Sequence, residues 1–223
     1  MKVTVAVPTF NEEKNIKAIL ESVRSYGDEI LVVTAKKSTD KTKEIAEKMG
    51  FRTLVDNGKG KGDAIRVAIE HAKGDIIVFI DADGSHIAED IPKIVQPIKE
   101  GKADMVIASR FLGGSEELHG NFSKSLRMFF SISIAQIINW RFGTAIGDTQ
   151  NGFRAIKKNV AKNLDLKANI FDVETEMVMK CYKKGYGILE VPSRELKRKG
   201  GESGINLWRM GWIYAWRVFR NLW

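Results

Sequence analysis

Cysteine is nearly missing from this 223-residue chain. Cys181 stands alone, so no intrachain disulfide can form and no Cys-based zinc site is available. Histidine is scarce too, and His71, His86 and His119 lack the spacing of a metal site. Long apolar runs are absent. The longest charge-free stretch of the second half, Met128 to Trp140, has 13 residues, against about 20 for a membrane-spanning helix. The first residues, Met1 to Pro8, read as a strand entering a turn, without the apolar core and small-residue cleavage site of a signal peptide. Nor does the composition carry the bias of disorder, collagen or coiled coil. Hydrophobic residues at 43% and charged residues at 29% are ordinary globular chemistry, enough for a sizeable core. These absences predict one domain, or one domain with an appendage, in a reducing compartment and not crossing a bilayer.

The net charge of +8 is unevenly placed: from Lys183 onward nine Lys and Arg face only three acids. Such a basic end suits an anionic partner. Trp208, Trp212, Trp216 and Trp223 crowd into the same region. On a helical wheel they share, with Phe219, an arc of roughly 80°, and Arg209, Arg217 and Arg220 fill the adjoining arc. Tryptophan flanked by arginine with little acid predicts a helix lying on a membrane surface. A helix docked on the core, or a dimer contact, is the alternative.

The rest alternates strand-like and helix-like segments. Strands are predicted at Val3–Val7 (stopped by Pro8), Glu29–Thr34, Phe51–Val55, Asp75–Ile80 and Ala103–Ala108. Helices are predicted at Asn11–Arg24 (Asn11 as N-cap), from Ser38 or Thr39 to Met49, at Gly62–Ala72, and at Ile87–Glu100, interrupted by Pro92 and Pro97. Short apolar strands separated by helices imply parallel pairing in an open α/β sheet. Ligands of such sheets bind at the carboxyl ends of strands, here just after Val7, Val33, Ile80 and Ala108.

Polar residues collect at those positions. Asp81-Ala82-Asp83-Gly84-Ser85-His86 follows the fourth predicted strand. Two carboxylates that close repel unless a cation lies between them. Hard oxygen donors without cysteine suit Mg²⁺ or Mn²⁺ bridging to substrate phosphates. Phe10 is suited to lie against a flat ring, and Glu12 to accept hydrogen bonds from a base or ribose. Gly58-Lys59-Gly60-Lys61-Gly62 brings backbone N–H groups and lysines toward phosphate, without the spacing of a P-loop. Arg110 follows the fifth strand, Arg127 and Ser131 share a helix face, and Asp148 to Arg154 reads as a polar loop before another helix.

Seven pieces in this order resemble the GT-A glycosyltransferases of family 2, specifically the polyprenyl (dolichyl) phosphate hexose synthases. They are Val-Pro-Thr-Phe-Asn-Glu (7–12), Gly-Lys-Gly (60–62), Asp-Ala-Asp (81–83), Ser-Arg-Phe (109–111), Arg-x-x-x-Ser (127–131), Asp-Thr-Gln-Asn-Gly-Phe-Arg (148–154) and Arg-Lys-Gly-Gly-Glu-Ser (198–203). The resemblance implies a GT-A domain over residues 1–203, an open, doubly wound, mostly parallel sheet flanked by helices, and an amphipathic interfacial helix over 204–223. It implies nucleotide-sugar contacts from Pro8, Phe10, Glu12, Lys61, Asp81 and Ala82. Asp83 would hold Mg²⁺ or Mn²⁺ with Asp81 or Ser85, and Arg110, Arg127, Ser131 and Arg198 would surround an acceptor phosphate. Asp83, Arg110 and Asp148 are the implied catalytic residues. The implied reaction moves a hexose, mannose before glucose, from GDP-mannose or UDP-glucose to polyprenyl or dolichyl phosphate with inversion. It takes place at the inner face of the membrane, with the protein peripheral and cytoplasmic. Two departures stand out. Thr34-Ala35-Lys36-Lys37-Ser38-Thr39-Asp40 replaces an acidic pair that reads the base, and Gly204 stands where a phosphate-binding lysine is common. Another acceptor, or a non-catalytic membrane-associated nucleotide-sugar binder, is the alternative. Nucleic acid is disfavoured as a partner, because paired acids repel its backbone unless a metal intervenes.

Overall fold

The computed structural model describes residues 1–116, 122–198, 216 and 218–220, with the side chains of 122–127 excepted. The five predicted β-branched runs all form strands: β1 (Val3–Thr9), β2 (Glu29–Thr34), β3 (Arg52–Val55), β4 (Ile76–Phe79) and β5 (Met105–Ser109). Two more complete the sheet, β6 (Arg154–Lys157) and β7 (Ile188–Pro192). The helices are α1 (Ile16–Val23), α2 (Thr42–Lys48), α3 (Lys61–His71), α4 (Ile91–Lys99), α5 (Arg110–Gly113), α6 (Phe122–Phe142), α7 (Lys158–Asn163) and α8 (Val173–Lys183). Strand order is β3-β2-β1-β4-β6-β5-β7.

The sheet is mixed. β6 lies antiparallel between β4 and β5, and every other neighbouring pair is parallel. The expected helix after the 148–154 loop is therefore preceded by a strand, whose four residues carry too little apolar pattern to announce it. Successive side chains point to opposite faces, which divides the core in two. Val3, Val5, Val7, Ile30 and Val32 pack with Ile16, Leu20 and Val23 of α1 and Ile94 and Ile98 of α4. Ala6, Leu31 and Val33 pack with Ala64 and Ala68 of α3 and Met177 and Val178 of α8. Cys181 lies in this second cluster, and burial pushes its thiol up to about 12, leaving it unreactive.

Three local expectations are corrected. β1 runs through Pro8 to Thr9. The Ala6 carbonyl accepts from the Ile80 N–H, so Pro8, two residues on, turns its ring nitrogen to that same side, past the last β1–β4 pair, Ala6↔Phe79, where no ladder donor is needed. Asn11 is not an N-cap: it sits at φ 54° and its side-chain oxygen accepts from the Thr39 N–H, tying the loop after β1 to the loop after β2. α4 continues through Pro97, while Pro92 stands in its first turn, where a missing N–H has no consequence.

The proposed 204–223 helix and its boundary fall almost wholly outside the described residues. Of that stretch, Trp216 and Phe219 are exposed with rings 6.2 Å apart, and Val218 is buried in the same cluster as Ala6. Among the described residues no helix is long and apolar enough to cross a membrane.

Candidate active site

The strand ends converge as open α/β sheets require. Phe10, just beyond β1, is 57% exposed, a free ring face at the rim. Glu12 follows and accepts from the Asn15 side chain at 2.9 Å. Burial raises its carboxyl, Asn15 opposes that, and Asp83, Arg198 and Asp81 all act on it, so these groups share one electrostatic neighbourhood.

Beyond β4 the chain turns at Gly84, φ 76°, and sets out the two aspartates differently. Asp83 Oδ1 accepts from the backbone N–H and hydroxyl of Ser85, at 3.0 and 2.7 Å. Its Oδ2 lies 3.3 Å from Arg198 Nε. Ser85 thus orients Asp83. Asp81 meets Lys61, whose Nζ is 2.8 Å from Oδ1 and 3.1 Å from Oδ2. His86 Nε2 stands 3.6 Å from the same carboxylate, with its ring against Phe153. Burial works against ionising Asp81, but Lys61 and His86 outweigh it and hold the carboxyl far below its ordinary range. Ala82 between them is buried.

Lys61 opens α3 in a loop pressed on its neighbour. The Gly62 N–H donates to the Asn169 carbonyl, and a Cβ on Gly62 would come within 2.2 Å of the Ala168 carbonyl oxygen. Gly152 is as confined: a Cβ there would lie 2.7 Å from Asp81 Oδ2 and 2.9 Å from Lys61 Nζ. Gly152→Ala should therefore push the ion pair aside and weaken nucleotide binding by about tenfold, roughly 1.4 kcal/mol, as read by calorimetry. Unchanged affinity would separate this loop from the site.

Arg110 follows β5 and closes a two-pronged pair with Asp148: Nε to Oδ2 at 2.7 Å and Nη2 to Oδ1 at 2.8 Å. Its Nη1 is 3.7 Å from Glu195. Burial would lower the charge on this arginine, but Asp148 outweighs it. Arg154, fully buried, fixes the same loop by donating to the carbonyls of Asn151, Thr149 and Glu174. Among the described residues the buried Ser131 hydroxyl on α6 has no hydrogen-bond partner, and the Arg127 side chain lies outside the described residues.

The residues suit a hard divalent ion. Asp83 turns one oxygen toward a cationic group, and the other is fixed by Ser85. Among the described residues no three acidic, His or Cys side chains converge on one point. A site offering so few protein ligands fits an ion that takes its remaining ligands from phosphate and water.

Sequence reasoning named Asp81, Asp83 and Lys61 but not the pairing of Asp81 with Lys61, and it gave no site role to His86, Gly152, Glu174 or Glu195. His86 and Gly152 lay inside quoted motifs, and Glu174 ends Phe171-Asp172-Val173-Glu174, which resembles the family's glucosyl branch; Glu195 carried no signal by spacing.

The structure is thus a mixed α/β sheet with acids beyond β4 and a basic loop opening α3. Residues 4–164 match the model of glycosyl transferase family 2, and the chain belongs to that family. It is 31% identical over 219 residues to the low-salt glycan biosynthesis hexosyltransferase Agl6 of Haloferax volcanii, covering 95% of this chain and 52% of that protein. It is 31% identical over 215 residues to the dolichol-phosphate mannosyltransferase of Pyrococcus furiosus, covering 92% of this chain and 59% of that one. The chain thus spans little more than half the length of these two relatives. Among solved structures, glucosyl-3-phosphoglycerate synthase from Mycobacterium tuberculosis, in complex with Mn²⁺, UDP and phosphoglyceric acid, superposes with a TM-score of 0.76 at 19% identity. That match covers 99% of this chain and 78% of the other and shows the fold, GT-A.

Proposed function

We propose that this chain transfers a hexose, mannose or glucose, from a nucleotide-sugar to a polyprenyl or dolichyl monophosphate, with inversion and with a divalent ion. The observation that carries the reading is the acidic turn beyond β4, with Asp83 oriented by Ser85 and Asp81 by Lys61, while the exposed Phe10 follows the neighbouring strand β1. The relative named a dolichol-phosphate mannosyltransferase supports the acceptor.

Phe10 offers its face to the base, and Glu12 and Asp81 accept from ribose hydroxyls. Asp83 Oδ2 would hold Mg²⁺ or Mn²⁺, which when bound neutralises the charge growing on the departing diphosphate. A phosphate monoester has a second pKa of about 6, so the acceptor is a dianion at neutral pH and needs no general base. Arg198, with Arg127 and Ser131, positions that dianion. Arg110 and Asp148 hold the floor of the site, and approach from the face opposite the diphosphate inverts the anomeric centre.

The acceptor's hydrocarbon tail brings the enzyme to a membrane surface. α6 exposes Phe129, Phe130, Ile132, Ile137 and Trp140, which supports a second interfacial helix there beside the 204–223 segment. Removing 205–223 should spare nucleotide binding and reduce co-sedimentation with anionic vesicles, at about 1 kcal/mol for each of Arg209, Arg217 and Arg220. Equal co-sedimentation would refute that segment's role. The transfer itself is tested with GDP- and UDP-hexoses, a short polyprenyl phosphate, and Mn²⁺ or Mg²⁺, scored for lipid-linked product. Metal-independent turnover, or no lipid product from any donor, would overturn the reading.

A further inference from the structure

Lys61 stands between two carboxylates of unlike exposure. Its Nζ is 2.8 Å from Asp81 Oδ1 and 2.9 Å from Glu174 Oε1, and the Asp81 side chain keeps 26% of its surface where Glu174 keeps 3%. Neither Glu174 oxygen has a well-aligned hydrogen bond, and among the described residues its ion-pair partner is Lys61. Burying a carboxylate whose one close partner is a shared ammonium is unfavourable unless its charge serves another group. Its place is also fixed: the Arg154 guanidinium donates to the Glu174 carbonyl at 3.0 Å and ties the first turn of α8 to the 149–151 loop.

We propose that Glu174 is a positioning residue of the donor site, acting through Lys61. Drawing on the ammonium from the buried side, it shares the positive charge. Asp81 is held in place without being fully neutralised. The turn thereby keeps a negative potential around Asp83 for a divalent ion. This rests on the nucleotide-sugar reading of the site.

The proposal has a signature in which two affinities move oppositely. In Glu174→Gln the lysine charge falls on Asp81 alone and the site gains one net positive charge. Metal-free binding of UDP or GDP should tighten, and binding of Mn²⁺ alone should weaken, each by roughly three- to tenfold for one charge at protein-surface dielectric. Both shifts should shrink in a Lys61→Met background, where only the direct field of the buried carboxylate is left and the part carried by that lysine is gone. Calorimetry with UDP and GDP in chelator, and paramagnetic resonance of free Mn²⁺, read the two sides. Thermal unfolding identifies a variant that does not fold. In that event Glu174→Asp, one methylene further from Lys61, takes over, with shifts of the same signs and smaller size. Affinities that stay put, that fall together, or that shift equally with Lys61→Met would show Glu174 to be only a packing anchor. Unsubstituted protein that binds neither diphosphate would instead remove the donor-site reading, and this inference with it.

Discussion

Replacing Asp83 by alanine should lower hexosyl transfer by at least a thousandfold, about 4 kcal/mol of transition-state stabilisation. The reason lies in how Asp83 presents its charge. Its Oδ1 is fixed by two bonds from Ser85, and its Oδ2 points at a cationic group. Asp83→Asn keeps the shape and much of the Ser85 contact but removes the charge, so it should lose nearly as much. Fold stability should fall only modestly, since the ion pair Asp83 makes with Arg198 is partly exposed. Transfer assays across a Mn²⁺ series, with unfolding measured alongside, check this. An Asp83→Asn enzyme retaining more than a tenth of parental turnover would rule out Asp83 as the ion's ligand.

Asp148 should behave in the opposite way, through the fold first. It is wholly buried, takes both prongs of Arg110, and accepts from the backbone N–H groups of Arg110, Gln150 and Asn151. Removing one partner of such a pair leaves an uncompensated buried charge and costs about 3–5 kcal/mol. For a chain of this size that is a fall in Tm of about 10 °C. Transfer should fall with it, because Gly152 on the same loop braces Asp81 and Lys61. The pair also sets an acid limb. Burial alone would raise the Asp148 carboxyl, but Arg110 outweighs it and holds it below the ordinary carboxylate value. The unfolded chain takes up that proton at about pH 4, the folded chain only at lower pH. The pair's stabilisation is therefore complete above about pH 5 and is lost as pH falls through the folded value. Melting curves from pH 7 to pH 2 should drop steeply at the acid end for the parent and more gently for Asp148→Asn. Parallel curves would show that Asp148 does not govern acid unfolding.

The sequence alone settled β1 to β5, because each is a run of β-branched and apolar residues whose burial needs no distant partner to be read. It settled the acidic turn for a similar reason: Asp81 and Asp83 are neighbours in the chain, and their repulsion is local chemistry. It also carried the family, through motifs whose order survives without any coordinates. What the tertiary structure decided is who meets whom. β6, with only Ala155 and Ile156 apolar among its four residues, becomes a strand because β4 and β5 leave a slot between them. Arg110 reads in sequence as well placed for a phosphate, and only the fold shows that Asp148, 38 residues away, holds its guanidinium. Lys61 crosses 20 residues to Asp81 and further still to Glu174. Charges are visible in a sequence, but their pairing depends on distance in space, and only the folded sheet sets that distance.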